Sequence, residues 1–222
     1  MESRHDTLPI WWRLVRFGFR LLYNEMAWTY DLVSWVVSLG AWRCWGRAAL
    51  KHIPSEGAIL ELAHGTGNLQ LDLHAAGRPV IGFDLSAAMG RITWRKLVQH
   101  GYRPRLVRGR AQTLPFRSGA FSTVISTFPT DFIVAPETLH EIHRVLQPGG
   151  RLVIVPTALF TGGGVFAKLL DLLYRITGQR GDQPQPAWDV AAMFAPYGFS
   201  AQMVQETCPR SRVTVIVAEK RG

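Results

Sequence analysis

The sequence predicts an α/β fold: a doubly wound, seven-stranded, mostly parallel sheet with helices on both faces, preceded by a helical lid. Three observations carry this. From Gly57 onward, short apolar runs alternate with stretches of helical periodicity, the pattern of a sheet covered on both sides. The first two runs, Ile59-Leu60-Glu61-Leu62 and Val80-Ile81-Gly82-Phe83-Asp84, each carry a carboxylate at or near the carboxyl end, and the first runs into the turn Ala63-His64-Gly65-Thr66-Gly67. Residues 1–54 differ from the rest, with apolar side chains at helical spacing and six of the eight tryptophans.

The N-terminal segment reads as two or three helices ending near Ile53-Pro54. Leu14, Phe17, Leu21 and Leu22 share one face, and Arg13, Arg16 and Arg20 form a basic stripe. Strands follow near 58–62, 79–83, 104–108, 121–126, 151–156, 200–207 and 211–218, with a helix after each of the first five. Gly149-Gly150 marks a turn before the buried run Arg151–Val155, and Cys208-Pro209-Arg210 joins the last two strands as a hairpin. Gly162-Gly163-Gly164 opens an amphipathic helix running to Ile176, and Gln179–Pro186 reads as a loop. The predicted division is therefore 1–54, a helical lid that also suits membrane contact, and 55–222, the α/β domain.

Composition narrows the function classes. Hydrophobic residues make up 47% of the 222, enough to build a core, so a disordered chain is excluded. The formal net charge of +9 favours an anionic partner such as an acidic lipid surface, nucleic acid or an anionic substrate, or serves solubility alone. Cys44 and Cys208 form no C-x-x-C pair and lack histidines at metal spacing, so no metal site is expected and a reducing cytosol fits. Glu2 and Asp6 stand where a signal peptide needs basic residues. Arg13, Arg16, Arg20, Asn24 and Glu25 interrupt the one long apolar run. The expected location is cytoplasmic, with association at a membrane surface.

The chemistry is concentrated between Glu61 and Asp84. Gly65 and Gly67 lack Cβ, which permits a sharp turn and close approach of backbone to a ligand. The helix that follows offers unpaired N–H groups. Glu61 is placed to accept hydrogen bonds from an ammonium or amide, and Asp84, 23 residues later, suits a ribose diol. A nicotinamide dinucleotide site would need G-x-G-x-x-G to admit a pyrophosphate, yet position 70 is glutamine and Glu61 repels that group. The pattern selects a nucleoside ligand with a positive end and no pyrophosphate.

These residues resemble the class I S-adenosylmethionine-dependent methyltransferases of Rossmann-like fold, and within them the group acting on quinone precursors and other small molecules. The resemblance covers about residues 57–156. It rests on four motifs in order: Glu61 to Gly67, Asp84-Leu85-Ser86-Ala87-Ala88-Met89, Gly109 to Phe116, and Leu139 to Gly150. It implies S-adenosyl-L-methionine as the cofactor, with Glu61, Ala63, His64, Gly65 and Gly67 around the methionyl part. Asp84 would hold the ribose hydroxyls. Leu85, Met89, Ala111 and Gln112 would flank the adenine, and Ser126, Thr127 and Phe128 would border the reacting methyl. Tyr30 matches the aromatic that closes the pocket from the N-terminal side in many relatives. Two positions depart from the pattern: Ala63 replaces the first glycine, and Arg110 replaces the aspartate that usually meets the adenine amino group, leaving Gln112 as its substitute.

The resemblance implies methyl transfer to a small acceptor, and the basic, aromatic N-terminal region suggests a lipophilic one reached at a membrane surface, such as a quinone precursor or a phospholipid headgroup. No catalytic base stands out. His64, Asp131 and Tyr30 are the candidates, and Asp131 serves equally as the N-cap of the next helix. His140 and His143 read as packing or surface residues on a scaffold helix. The Trp/Arg-rich N-terminus suits a lid, an interfacial helix or a nucleic-acid surface, and the absence of any recognisable nucleic-acid module disfavours the last. Two other classes remain: a non-catalytic S-adenosylmethionine-binding or RNA-associated protein, and an NAD-dependent oxidoreductase.

Overall fold

The computed structural model describes residues 35–36, 38–161 and 189–221. Tyr30, the basic stripe of Arg13, Arg16 and Arg20, the helix read over 164–176 and the loop at 179–186 lie outside those residues.

Helix α1 (Trp42–Ala48) tightens into a 3-10 turn over Ala49–His52 and stops at Ile53, which turns extended before Pro54. Seven strands then build one sheet: β1 (Ile59–Leu62), β2 (Val80–Asp84), β3 (Leu106–Arg108), β4 (Phe121–Thr127), β5 (Leu146–Phe160), β6 (Phe199–Cys208) and β7 (Ser211–Lys220). Their order is β3-β2-β1-β4-β5-β7-β6. β1 to β5 pair in parallel, while β7 runs antiparallel between β5 and β6. The chain reverses direction across the sheet between β1 and β4, so their carboxyl ends open a crevice.

Helices α2 (Asn68–Ala75), α3 (Ala87–Gln99), α4 (Pro136–Val145) and α5 (Val190–Phe194) cover the sheet. Side-chain alternation along the strands divides the core in two. Leu60, Leu62, Phe83 and Val124 pack beneath Leu139, Ile142 and Phe194 of α4 and α5. Ile59, Val80, Ile125 and Val153 pack beneath Leu69 and Leu73 of α2 and Trp45 of α1. Trp45 is 2% exposed and donates its indole N–H to Ser211 Oγ at 2.8 Å. Trp45 is thus a core residue, and half-buried Trp42 packs against the same cluster.

The structure corrects three expectations. No helix follows β3; residues 109–120 form a turn-rich loop, because Gly109 lies under the Phe83 ring and Pro115 and Gly119 break helical continuation. β5 is much longer than predicted, beginning at Leu146 and bulging between Ile154 and Thr157 to stay paired with β7 as far as Phe160. The cysteines, read as suiting a reducing cytosol, are joined: Cys44 of α1 and Cys208 at the end of β6 form a disulfide across 164 residues of sequence. Spacing rules look for neighbours in sequence, and this pair meets only because α1 lies against the β6–β7 hairpin. No described helix is long and apolar enough to cross a membrane, and no metal-binding group of side chains occurs among the described residues.

Candidate functional site

The turn after β1 is built from left-handed backbone. Ala63, Gly65 and Gly67 have φ of 55°, 55° and 78°. Ala63 N–H donates to Phe83 O at 2.8 Å, which fastens the turn to β2. Gly67 caps α2, and a Cβ there would meet Thr93 Cγ2 of α3 at 2.5 Å, so only glycine fits. A Cβ on Gly65 would stand in open space, leaving that side of the turn free for a ligand. Ala63 therefore holds a conformation that costs an L-residue about 1 kcal/mol.

Glu61 projects from β1 beneath this turn and is 1% exposed. Gln70 Nε2 of α2 donates to its Oε2 at 2.6 Å, while Gln70 Oε1 is buried without a partner. Burial, reinforced by the negative charges of Asp84 and Asp72, raises the Glu61 pKa to about 8 against the pull of the Gln70 bond. Such a carboxyl is poised to ionise when a cation comes to it. The bond from Gln70 to Glu61 escaped the sequence reading, which noted the glutamine only as the missing third glycine of a dinucleotide pattern.

Asp84 closes the other side. Its Oδ2 accepts from Gly65 N–H at 3.0 Å and its Oδ1 from Ser86 N–H at 2.7 Å, tying the first turn to the start of α3. Ser86 Oγ in turn caps α3 by accepting from Met89 N–H at 3.3 Å. The His64 ring is tucked under its own turn, where Nδ1 donates to Gly65 O at 2.9 Å beside Thr93 Oγ1. Because a carbonyl only accepts, Nδ1 carries the proton and Nε2 keeps the lone pair. Burial lowers the His64 pKa more than Asp84 raises it, so the ring is neutral at pH 7. His64 and Asp84 share a cleft of about 500 Å³ whose lining includes Gly90, Trp94 and Arg108.

The loop after β3 forms a further wall. Ala111 is buried, Gln112 half-buried and Arg110 exposed. This loop is clasped by α4. Glu141 Oε2 accepts from Leu114 N–H at 2.6 Å, and Arg144 donates to Leu114 O at 2.8 Å and Phe116 O at 2.7 Å while pairing with Glu141 at 2.7 Å. The Arg144 bonds hold the Glu141 carboxyl below its ordinary pKa. Glu141 and Arg144, read only as scaffold, are thus positioning residues for the loop that carries Ala111 and Gln112.

At the end of β4 the predicted residues divide. Ser126 is fully buried and donates its hydroxyl to Leu62 O at 2.8 Å, a tie between strands. Thr127 is half-buried. Phe128, with φ of 51°, stacks on Trp42 of α1 at 4.3 Å between ring centroids. Asp131 is exposed at the start of a 3-10 turn over Asp131–Val134 and caps nothing. Leu85 is exposed beside Asp84, and Met89 is buried on α3. His140 and His143 pack edge-on against Tyr197 and Phe199, away from the turn.

Comparison with known proteins agrees with this arrangement. Residues 59–150 match the family described as a methyltransferase domain. The demethylmenaquinone methyltransferase of Thermus thermophilus is 39% identical over 141 residues, covering 60% of this chain and 63% of that protein. The ubiquinone/menaquinone biosynthesis C-methyltransferase of Syntrophotalea carbinolica is 34% identical over 141 residues, covering 61% and 60%. The chain thus spans about three fifths of the length of these curated relatives. Among solved structures, the YcgJ protein of Bacillus subtilis superposes with a TM-score of 0.59 at 16% identity, covering 80% of this chain and 97% of that one.

Proposed function

We propose that this chain is a class I S-adenosylmethionine-dependent methyltransferase that moves a methyl group from S-adenosyl-L-methionine to a small lipophilic acceptor, a quinone precursor ahead of a phospholipid headgroup. The observation that carries the reading is the pair of carboxylates on either side of one glycine turn: buried Glu61 beneath it and Asp84 bound to Gly65 N–H. A cofactor with an ammonium at one end and a ribose diol in the middle fits this pair. A dinucleotide does not, because Glu61 and the Gln70 side chain lie where a pyrophosphate needs glycine and positive charge.

When bound, the cofactor supplies an electrophilic methyl carbon on a positively charged sulfur. The chain's own residues bind and orient. Glu61 accepts from the ammonium, Asp84 holds the ribose hydroxyls, and Met89, Ala111 and Gln112 flank the adenine, with the 110–117 loop fixed by Glu141 and Arg144. Thr127 and the backbone of Ser126 and Phe128 border the acceptor. In-line approach and exclusion of water provide most of the acceleration. A carbon acceptor also gives up a proton. Neutral His64 is the first group to test as its receiver, before Asp131 and Tyr30. The lipophilic acceptor is reached at a membrane surface.

The relatives' names favour a quinone precursor. The test is transfer of labelled methyl from S-adenosylmethionine to a short-chain demethylated naphthoquinol, with phosphatidylethanolamine and small amines in parallel. Label in the naphthoquinol supports the reading. Label in the phospholipid or the amines alone moves the acceptor class. Tight cofactor binding with no transfer to any of them favours a non-catalytic S-adenosylmethionine-binding protein.

A further inference from the structure

We propose that the outer face of α3 and the neighbouring end of β3 dock on an anionic phospholipid bilayer. Residues 85–130 hold eight arginine and lysine side chains and not one aspartate or glutamate, whereas residues 1–54 hold seven basic against four acidic. The positive charge of the chain is therefore concentrated here rather than in the N-terminal segment. Helix α3 buries Met89, Thr93 and Leu97 and turns Arg91, Trp94, Arg95 and Val98 outward. Helical spacing places these four on a single stripe.

Leu85, Trp94 and Val98 are 60%, 53% and 43% exposed. Among the described residues no carboxylate pairs with Arg91 or Arg95. Arg108 of β3 donates to Leu85 O at 3.0 Å, which fixes the β2–α3 loop against the edge strand. Behind the stripe, the cleft of about 500 Å³ that holds His64 and Asp84 opens between helix and strand, so the stripe borders the mouth of the site. Large apolar side chains alternating with arginines suit the headgroup region, where the rings and aliphatic groups enter the acyl boundary and the guanidiniums meet phosphates. A nucleic-acid surface would use the arginines and stack on Trp94, but it has no use for exposed Leu85 and Val98. The observations thus favour lipid.

Leu85 follows Asp84 directly, so docking here turns the mouth of the site toward the bilayer. The surface deepens the lipophilic-acceptor reading and rests on it only for this route. Vesicle binding is measured without methyl transfer, so either can fail alone.

The experiment is sedimentation of the full chain with vesicles of phosphatidylcholine, with and without about 30% phosphatidylglycerol, at about 0.1 M salt. Retention on the anionic vesicles and release at high salt are expected. Neutralising two surface arginines with Arg91→Gln and Arg95→Gln weakens partition about 25-fold, and Trp94→Ala weakens it several-fold, all with unchanged melting temperature. Equal binding by wild type and the double variant overturns the proposal. So does equal retention on uncharged vesicles, or tight binding of a single-stranded RNA oligonucleotide by a protein that vesicles do not retain.

Discussion

Replacing Glu61 by glutamine removes a proton equilibrium from the centre of the site while keeping its shape. In the folded protein without ligand, burial raises the Glu61 pKa from 4.5 to about 8. Between those values the folded chain keeps a proton that the unfolded chain releases. Stability therefore falls as pH rises through this window, on the order of 1 kcal/mol per pH unit, and levels off above it. The neutral amide of Glu61→Gln has no such slope. Urea unfolding at several pH values from about 5 to 9 is the assay. The variant gains on wild type with rising pH, reaching on the order of 2–4 kcal/mol greater stability near pH 8. The same variant loses the charge that meets an ammonium, so S-adenosylhomocysteine binding weakens by at least about tenfold. In wild type that binding releases a proton below pH 8, seen as a dependence of titration heat on buffer ionisation. Parallel pH–stability curves for the two proteins would refute the claim that Glu61 is held protonated by burial.

Three further outcomes follow from particular contacts. Ala63→Gly relieves the left-handed backbone at Ala63, with φ of 55°, and stabilises the fold by roughly 0.5–1 kcal/mol in chemical denaturation, with cofactor binding unchanged or tighter. Arg144→Ala frees the 110–117 loop from α4, lowering stability by about 1–3 kcal/mol and cofactor affinity about tenfold. Because Arg144 depresses the Glu141 pKa, the Glu141 contribution is present above the ordinary carboxylate pKa and is lost as pH falls through the depressed value, so the wild-type advantage over Arg144→Ala shrinks in acid. Reducing the Cys44–Cys208 disulfide, or Cys44→Ser, lowers stability by about 2–5 kcal/mol, read as a drop in melting temperature that reductant produces in wild type and not in the variant.

What was legible in the sequence is what lies close along the chain. Glu61 to Gly67 and Val80 to Asp84 each place a strand, a turn and a polar group within a few residues, and the parallel sheet follows from their alternation. What was hidden depends on residues that meet only after folding. Gln70 faces Glu61 because α2 turns back over β1, and no local pattern announces the bond. Phe128 finds Trp42, and Cys44 finds Cys208, because α1 lies across the far ends of the strands. The Glu141–Arg144 clasp was visible as a motif, yet its purpose appears only when the helixless loop after β3 is seen beneath it. Ser126 shows the converse: a hydroxyl in a site motif that serves the strand pairing instead.

The most direct test of the central claim is calorimetric titration of the protein and of Asp84→Ala with S-adenosylmethionine, S-adenosylhomocysteine and NAD. The account predicts micromolar binding of the first two, little or none of NAD, and loss of affinity by at least about tenfold in the variant. Binding of NAD alone, or equal affinity in the two proteins, would contradict it.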